Sequence, residues 1–258
     1  MNRRAMLIVL VCVLMLGANR GFAAEIGADI LETWVIPTAN AFRLPPPPNS
    51  KTTAKELREV RDRVARRSQE DLASIRFWDA GPPAYRWMQL TEQTAVNAGL
   101  PAPFQTRALA LVAAAIADAT VVAWDSKYAY DRPHPSEMDH TFVPIVRVPN
   151  NPSYPSEYAV TAGAAAAVLG YLFPNQAEKF ADMAKEAAAS RIAAGTAFPS
   201  DVSSGLDLGR SVGKAVISYA QGDGSGQSSS GFYRSTPGMR SSKTPVTPPA
   251  GFCPVPLS

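Results

Sequence analysis

Apolar residues recur at helical spacing along most of the chain, and no stretch shows the alternation that is typical of a strand. The clearest amphipathic pattern follows the prolines at 45–48 and predicts a helix from Thr52 or Thr53 to about Phe77. Its buried side is predicted to comprise Leu57, Val60, Val64, Leu72 and Ile75. Further helices are predicted at about 84–98, 104–126, 156–172, 175–194 and 200–219, with a short one inside 25–42. The pattern therefore predicts an all-α bundle of six or seven helices.

Prolines and small polar residues divide these helices and mark the ends of the domain. Residues 131–155 are rich in Pro and Asn and are predicted to form a long functional loop. From residue 221 onward Gly, Ser and Pro dominate, which predicts an extended or disordered tail. The predicted organisation is a signal peptide at 1–23, a helical domain at 24–220 and the tail at 221–258.

The helix predicted at 104–126 is nearly continuous Ala, Leu and Val, and its length would also suit a membrane span. Its high alanine content, the acidic Asp118 in its middle and the amphipathic helices beside it favour a buried core helix. We therefore expect no integral membrane span in the mature chain.

The first residues are typical of a secretory signal peptide. Arg3 and Arg4 precede an apolar run at 5–17, and small residues at 21–24 form a cleavage site. The apolar run is too short to cross a bilayer. We expect Sec-type export to the periplasm or medium, with an uncleaved membrane anchor as the alternative.

Cleavage changes both the charge and the cysteine count. It would remove three arginines (Arg3, Arg4 and Arg20) and no acidic residue, so the formal net charge of +3 would fall to zero. A neutral chain offers no overall attraction for nucleic acid, so any anion site has to be local. Cys253 would be the one remaining cysteine, which rules out an internal disulfide in the mature chain.

Four residues could together hold a tetrahedral oxyanion. Arg132 and Arg191 supply planar forks of donors, Lys127 supplies a compact charge, and Ser156 opens a predicted helix whose free amides favour an anion. Taken singly, each has a plainer interpretation as a helix-end cation, an ion-pair partner or an N-cap.

The order of these residues resembles the superfamily that joins type 2 phosphatidic acid phosphatases, bacterial non-specific acid phosphatases and vanadium haloperoxidases. The three matching parts are a Lys followed by Arg-Pro at 127–133, Pro-Ser at 155–156, and Ser-Arg at 190–191 with Asp201 at the family's interval. The stretch at 124–130 looks most like the soluble, haloperoxidase-type branch. The resemblance covers about 105–215 and implies an all-α fold with a phosphate pocket formed by Lys127, Arg132, Ser156 and Arg191.

The chain departs from the family at the positions that perform the chemistry. The histidine that attacks phosphorus or ligates vanadate in the family is Ala197 here, and the histidine that acts as general acid is Tyr158. The family's glycine between the serine and that acid is Glu157, whose carboxylate would compete with an anion for the helix N-terminus. The spacer between Lys127 and Arg132 is also shorter than usual.

Few residues could replace the missing imidazole. His134 and His140 are the two histidines of the chain, and His134 is the better candidate because it follows Arg132 closely. Asp201 or Glu157 could act as a carboxylate nucleophile, although the resemblance places Asp201 one layer behind the reacting atom. The candidate catalytic residues are therefore Asp201, Tyr158 and His134. No His or Cys spacing predicts a metal site, so no metal or cofactor is expected. The resemblance implies that vanadate is not expected either, because the position that ligates it in the family is Ala197.

Three hypotheses follow. The first is an exported protein with a Lys/Arg oxyanion pocket that has lost phosphohistidine catalysis. The second is an acid-phosphatase-like phosphomonoester hydrolase with a non-standard nucleophile, and the third is a helical interaction protein. The expected ligand is a small soluble phosphate ester or oxyanion, and the aromatic residues of the tail suggest a possible homo-oligomer.

Overall fold

The computed structural model describes residues 32–225, and this range contains helices and no strand. The all-α prediction is confirmed. The predicted signal peptide, the tail beyond residue 225 and Cys253 lie outside the described residues. Short 3-10 turns occur at Ala39–Phe42 and Pro174–Gln176. The helices are α1 (Ser50–Ala65), α2 (Gln69–Trp78), α3 (Tyr85–Asn97), α4 (Ala102–Tyr130), α5 (Pro135–Met138), α6 (Glu157–Leu172), α7 (Ala177–Ala194) and α8 (Pro199–Gly222).

The Ala-rich helix α6 lies at the centre of the bundle and packs against α4, α7 and α8. The contact with α8 is the closest, because glycines replace side chains where the backbones meet. A Cβ added to Gly209 would lie 2.0 Å from the carbonyl oxygen of Val160, and one on Gly163 would lie 2.4 Å from that of Leu206. This close approach fixes the beginning of α6 against the beginning of α8, where the candidate site lies.

Helix α4 is long and apolar enough to cross a membrane by length and composition, and 61% of its most apolar window is buried among its neighbours. Its interior acid, Asp118, is fully buried. The carboxylate accepts hydrogen bonds from the backbone N–H groups of Trp34, Val35 and Ile36 at 2.6, 2.8 and 3.0 Å. Asp118 thus holds the N-terminal segment of the described chain against the core helix, and three amide donors offset the cost of burying its charge.

The prediction of one helix from residue 52 to 77 is wrong, because the chain breaks at residues 66–68. Asn49 caps α1, and Ser68 begins α2 with a capping box in which Ser68 and Asp71 each bind the other's backbone N–H. Of the predicted buried side, Val60 and Ile75 are fully buried, whereas Leu57, Val64 and Leu72 are partly buried. The predicted loop at 131–155 also contains the single turn α5.

The packing of α6 on α8 predicts that Gly209→Ala destabilises the protein, although alanine ordinarily favours a helix over glycine. The added methyl group would overlap the backbone of α6, and we expect a loss of about 3 kcal/mol in the free energy of unfolding, measured by chemical denaturation. Gly222→Ala is the control, because its Cβ would meet nothing within 4 Å and its effect should stay within about 1 kcal/mol. Equal midpoints for the two variants would contradict the close approach of the two backbones.

Candidate functional site

Six segments meet around one small cavity of about 80 Å³. They are the end of α2, the end of α4, the loop before α6, the first turn of α6, the end of α7 and the linker to α8. Gly195 allows this convergence, because it ends α7 with a positive φ of 85° and turns the chain toward α8. The volume suits several water molecules or a small anion. The charged residues that line the cavity are Lys127, Arg147, Arg191, Asp79 and Glu157.

Lys127 lies near the end of α4 and is 2% exposed. Its ammonium donates to the Oδ1 atom of Asn151 at 3.1 Å and to the carbonyl oxygen of Pro152. Burial lowers its pKa to about 8, while the charges of Glu157 and Asp201 act in the opposite direction. Lys127 therefore faces the cavity with one of its three N–H donors uncommitted to the loop.

Arg191, on the last turns of α7, is 3% exposed and forms an ion pair with Asp79 at 2.7 Å. Its guanidinium also lies 4.2 Å from the ring centroid of Tyr158, and its Nε donates to the Ser190 hydroxyl. The single O–H of Tyr158 can donate either to Asp79 Oδ1, at 3.3 Å, or to the carbonyl oxygen of Gly81, at 3.1 Å. Burial raises the pKa of Tyr158 to about 12, and Arg191 opposes that rise. This phenol is therefore poorly matched to proton transfer near neutral pH.

Arg132 does not line the cavity. Its guanidinium is 2.6 Å from Asp201 Oδ1 and 3.1 Å from Glu56 Oε2, and it stacks on the ring of Phe198 at 4.1 Å. It also donates to the hydroxyl of Ser200 at 2.8 Å. These two carboxylates neutralise the positive charge of Arg132, which was expected to bind an oxyanion. Arg132 instead stabilises the wall of the cavity.

Asp201 is fully buried behind the cavity in the first turn of α8. Besides Arg132, its carboxylate accepts hydrogen bonds from the Ser153 hydroxyl at 2.5 Å and from the backbone N–H of Phe198 at 2.8 Å. Both oxygens of the Asp201 carboxylate are thus hydrogen-bonded. The carboxylate lies behind the cavity wall, one layer back from position 197, which is where the resemblance implies that it should lie.

Ser156 and Glu157 both line the cavity at the beginning of α6. The backbone N–H of Ser156 donates to the carbonyl oxygen of Asp201 at 3.0 Å, which removes that amide from any anion. Glu157 occupies the first helical position, and its Oε1 atom is buried without a hydrogen-bond partner among residues 32–225.

His134 lines the cavity close to Ala197 and is 5% exposed. Its Nδ1 atom lies 2.6 Å from the carbonyl oxygen of Thr196, and its Nε2 atom lies 2.8 Å from that of Asn151. Each ring nitrogen therefore faces a carbonyl oxygen, to which it donates when it carries the proton. Neither nitrogen presents a lone pair to the cavity, so His134 fills space beside Ala197 without replacing a nucleophile. His140 is exposed and does not line the cavity.

The structure thus gathers Lys127, Ser156, Tyr158, Arg191, Ala197 and His134 around one cavity, and it leaves Arg132 and Asp201 behind its wall. Sequence reasoning missed Arg147, Asp79 and Glu56. Arg147 is exposed at the cavity, and no residue of the described range forms an ion pair or hydrogen bond with it. Glu56 had a usable signal, since helical spacing puts it on the same face of α1 as Val60.

Chemically, the cavity can offer cationic donors to an anion and a carboxylate acceptor to a proton donor. Within residues 32–225, no group of three His, Cys, Asp or Glu residues could hold a metal ion.

Comparison with known proteins relates the fold to one superfamily. The model of the PAP2 superfamily matches residues 107–224. Among solved structures, a bacterial vanadium-dependent iodoperoxidase is similar with a TM-score of 0.66 and 26% identity, over 72% of this chain and 55% of its own. No curated protein sequence matches the chain.

More distant structures share the fold. A bacterial vanadium-dependent chloroperoxidase, in its holo form, matches with a TM-score of 0.61 and 14% identity over 74% of this chain and 53% of its own. A transmembrane PAP2-type phosphatidylglycerolphosphate phosphatase from Bacillus subtilis matches with a TM-score of 0.53 and 16% identity, over 68% of this chain and 89% of its own. The chain spans about half the length of the two haloperoxidases. Residues 107–224 of this chain thus match the PAP2 superfamily in sequence, and the described bundle shares the fold of the vanadium haloperoxidases and of the PAP2-type phosphatase.

Proposed function

We propose that this chain is an exported oxyanion-binding protein that uses the PAP2 fold without phosphohistidine catalysis. Its ligand is a small soluble phosphate-like anion held by Lys127, Arg191 and Arg147. The observation that carries the proposal is that buried Lys127 and Arg191 line the same cavity as Ala197, which stands where the resemblance expects the nucleophile. Export rests on the signal-like pattern at 1–23.

Uncommitted donors support the binding part of the proposal. Lys127 keeps one N–H, and Arg191 uses three of its five donors on Ser190, Asp79 and the carbonyl oxygen of Ile75. Arg147 adds a guanidinium without a described partner. Three cations therefore face two carboxylates around the cavity, and the net positive charge that remains favours the binding of an anion.

The surroundings of each candidate catalytic side chain support the absence of phosphohistidine chemistry. Ala197 has no lone pair, and both nitrogens of His134 lie against carbonyl oxygens. Both oxygens of Asp201 are held by neighbours, and Tyr158 keeps its proton to a pH of about 12. The same residues do not fit a histidine-ligated vanadate, because no imidazole lining the cavity in the described range presents a free nitrogen to vanadium.

A binding measurement with an exposed arginine tests the site directly. Arg147→Ala should weaken the binding of inorganic phosphate about 3- to 10-fold by isothermal titration calorimetry, because it removes a partly screened cation from the cavity. Arg58→Ala on α1 is the matched control and should leave the affinity unchanged, since Arg58 is exposed and does not line the cavity. Absence of phosphate binding by the wild-type protein would refute the proposal.

The pKa of Lys127 predicts how binding depends on pH. Its ammonium is charged below about pH 8 and loses its proton above it, so phosphate affinity should fall as the pH rises from about 7 to about 10. The loss should approach tenfold per pH unit at the alkaline end. Lys127→Met should bind more weakly and should lose this dependence, whereas an unchanged slope in that variant would assign the titration to another group.

Turnover distinguishes a binding protein from an enzyme. The wild-type protein should hydrolyse para-nitrophenyl phosphate no faster than buffer, and Ala197→His should not restore hydrolysis, because Asp201 is already bound to Arg132 and Ser153. Steady wild-type turnover that Arg191→Ala abolishes would favour the hydrolase hypothesis, with Glu157 as the candidate carboxylate nucleophile.

A further inference from the structure

We infer that Glu157 makes the site selective for oxyanions that carry a proton, such as hydrogen phosphate, over sulfate and phosphate diesters. This inference rests on the proposed oxyanion binding and adds a specificity-determining residue to it. The position is a glycine in the family pattern that the chain resembles, so the carboxylate is a feature of this chain.

The starting observation is an unsatisfied acceptor. Glu157 lines the cavity, its Oε1 atom is shielded from solvent, and no donor between residues 32 and 225 reaches that atom. Buried carboxylate oxygens in folded proteins are nearly always hydrogen-bonded, so the missing donor requires an explanation.

The neighbouring cations do not supply the donor. The ammonium of Lys127 is directed to Asn151 and Pro152, and the charge of Glu157 acts on it without a hydrogen bond between them. The guanidinium of Arg191 forms its ion pair with Asp79 and not with Glu157. The cavity therefore presents cationic donors together with one carboxylate acceptor that is not paired to any of them.

A ligand that complements this set has to accept hydrogen bonds on some oxygens and donate one from another. Hydrogen phosphate does both, because its charged oxygens can accept from Lys127 and Arg191 while its P–O–H group donates to Glu157. Sulfate has only acceptor oxygens at neutral pH, so one of them would face the carboxylate lone pairs. A phosphate diester likewise has no acidic proton to donate.

The size of the effect follows from the energy of a hydrogen bond to a charged group. Sites that contain a buried hydrogen-bonding group reject analogues that leave this group unpaired. A single such bond should favour phosphate over sulfate by roughly 10- to 100-fold. The small cavity, about 80 Å³, further favours a small ion such as inorganic phosphate.

The experiment compares inorganic phosphate, sulfate and dimethyl phosphate by isothermal titration calorimetry at a pH of about 7.5, where Lys127 is still largely charged. The wild-type protein should bind phosphate roughly 10- to 100-fold more tightly than sulfate and should bind dimethyl phosphate weakest of the three. Glu157→Gln, which keeps the shape and adds an amide donor, should bind sulfate more tightly and bring the phosphate-to-sulfate ratio close to one.

Glu178→Gln is the matched control, because Glu178 is also an acid in the first turn of a helix but is exposed and away from the cavity. It should keep the wild-type ratio. A wild-type protein that binds phosphate and sulfate equally, or a ratio that Glu157→Gln leaves unchanged, overturns the role of Glu157 while leaving oxyanion binding intact. Failure of the wild-type protein to bind any of the anions overturns both proposals. The wild-type comparison stands even if Glu157→Gln fails to fold.

Discussion

The buried ion network around Asp201 holds the site together. The Asp201 carboxylate binds Arg132, Ser153 and the backbone of Phe198. The backbone carbonyl oxygen of Asp201 accepts a hydrogen bond from the N–H of Ser156, the residue just before α6. Removal of one partner from such a network would leave an uncompensated charge in the interior, which costs far more than the net value of the pair. The beginnings of α6 and α8 and the loop from α4 are therefore fixed relative to one another.

The same network explains why the cavity differs from the arrangement that the family pattern implies. With alanine at position 197 there is no imidazole for Asp201 to orient, and its carboxylate is instead paired with Arg132. Glu56 takes the other side of that guanidinium, so the arginine is neutralised within the protein. The cations that line the cavity are Lys127 and Arg191, together with Arg147, which the pattern does not include.

Sequence reasoning located the helices well, because proline breaks and apolar spacing report local preferences directly. It failed at residues 66–68, where the amphipathic pattern continues across a break that the Ser68–Asp71 capping box produces. It also placed Lys127, Arg191 and Ala197 together, because the order of their motifs resembles the family pattern. It could not assign Arg132, because the choice between a ligand and a carboxylate depends on Glu56, which lies 76 residues away in the chain. No motif or periodicity in the sequence marks Arg147 as a site residue. It lies at the cavity because the loop before α6 passes there.

Lys127 links the electrostatics of the site to its stability. Its pKa is lowered from 10.5 to about 8 in the folded protein, so between these values the unfolded chain binds more protons than the folded one. The contribution of Lys127 to stability therefore rises with pH through that window and is lowest below about pH 8, where a charged ammonium remains buried. A bound anion would relieve that cost by supplying the opposite charge, so anion and proton should bind cooperatively. Because anion binding would offset this cost, a buried lysine at a small cavity is more easily explained by a ligand than by packing alone.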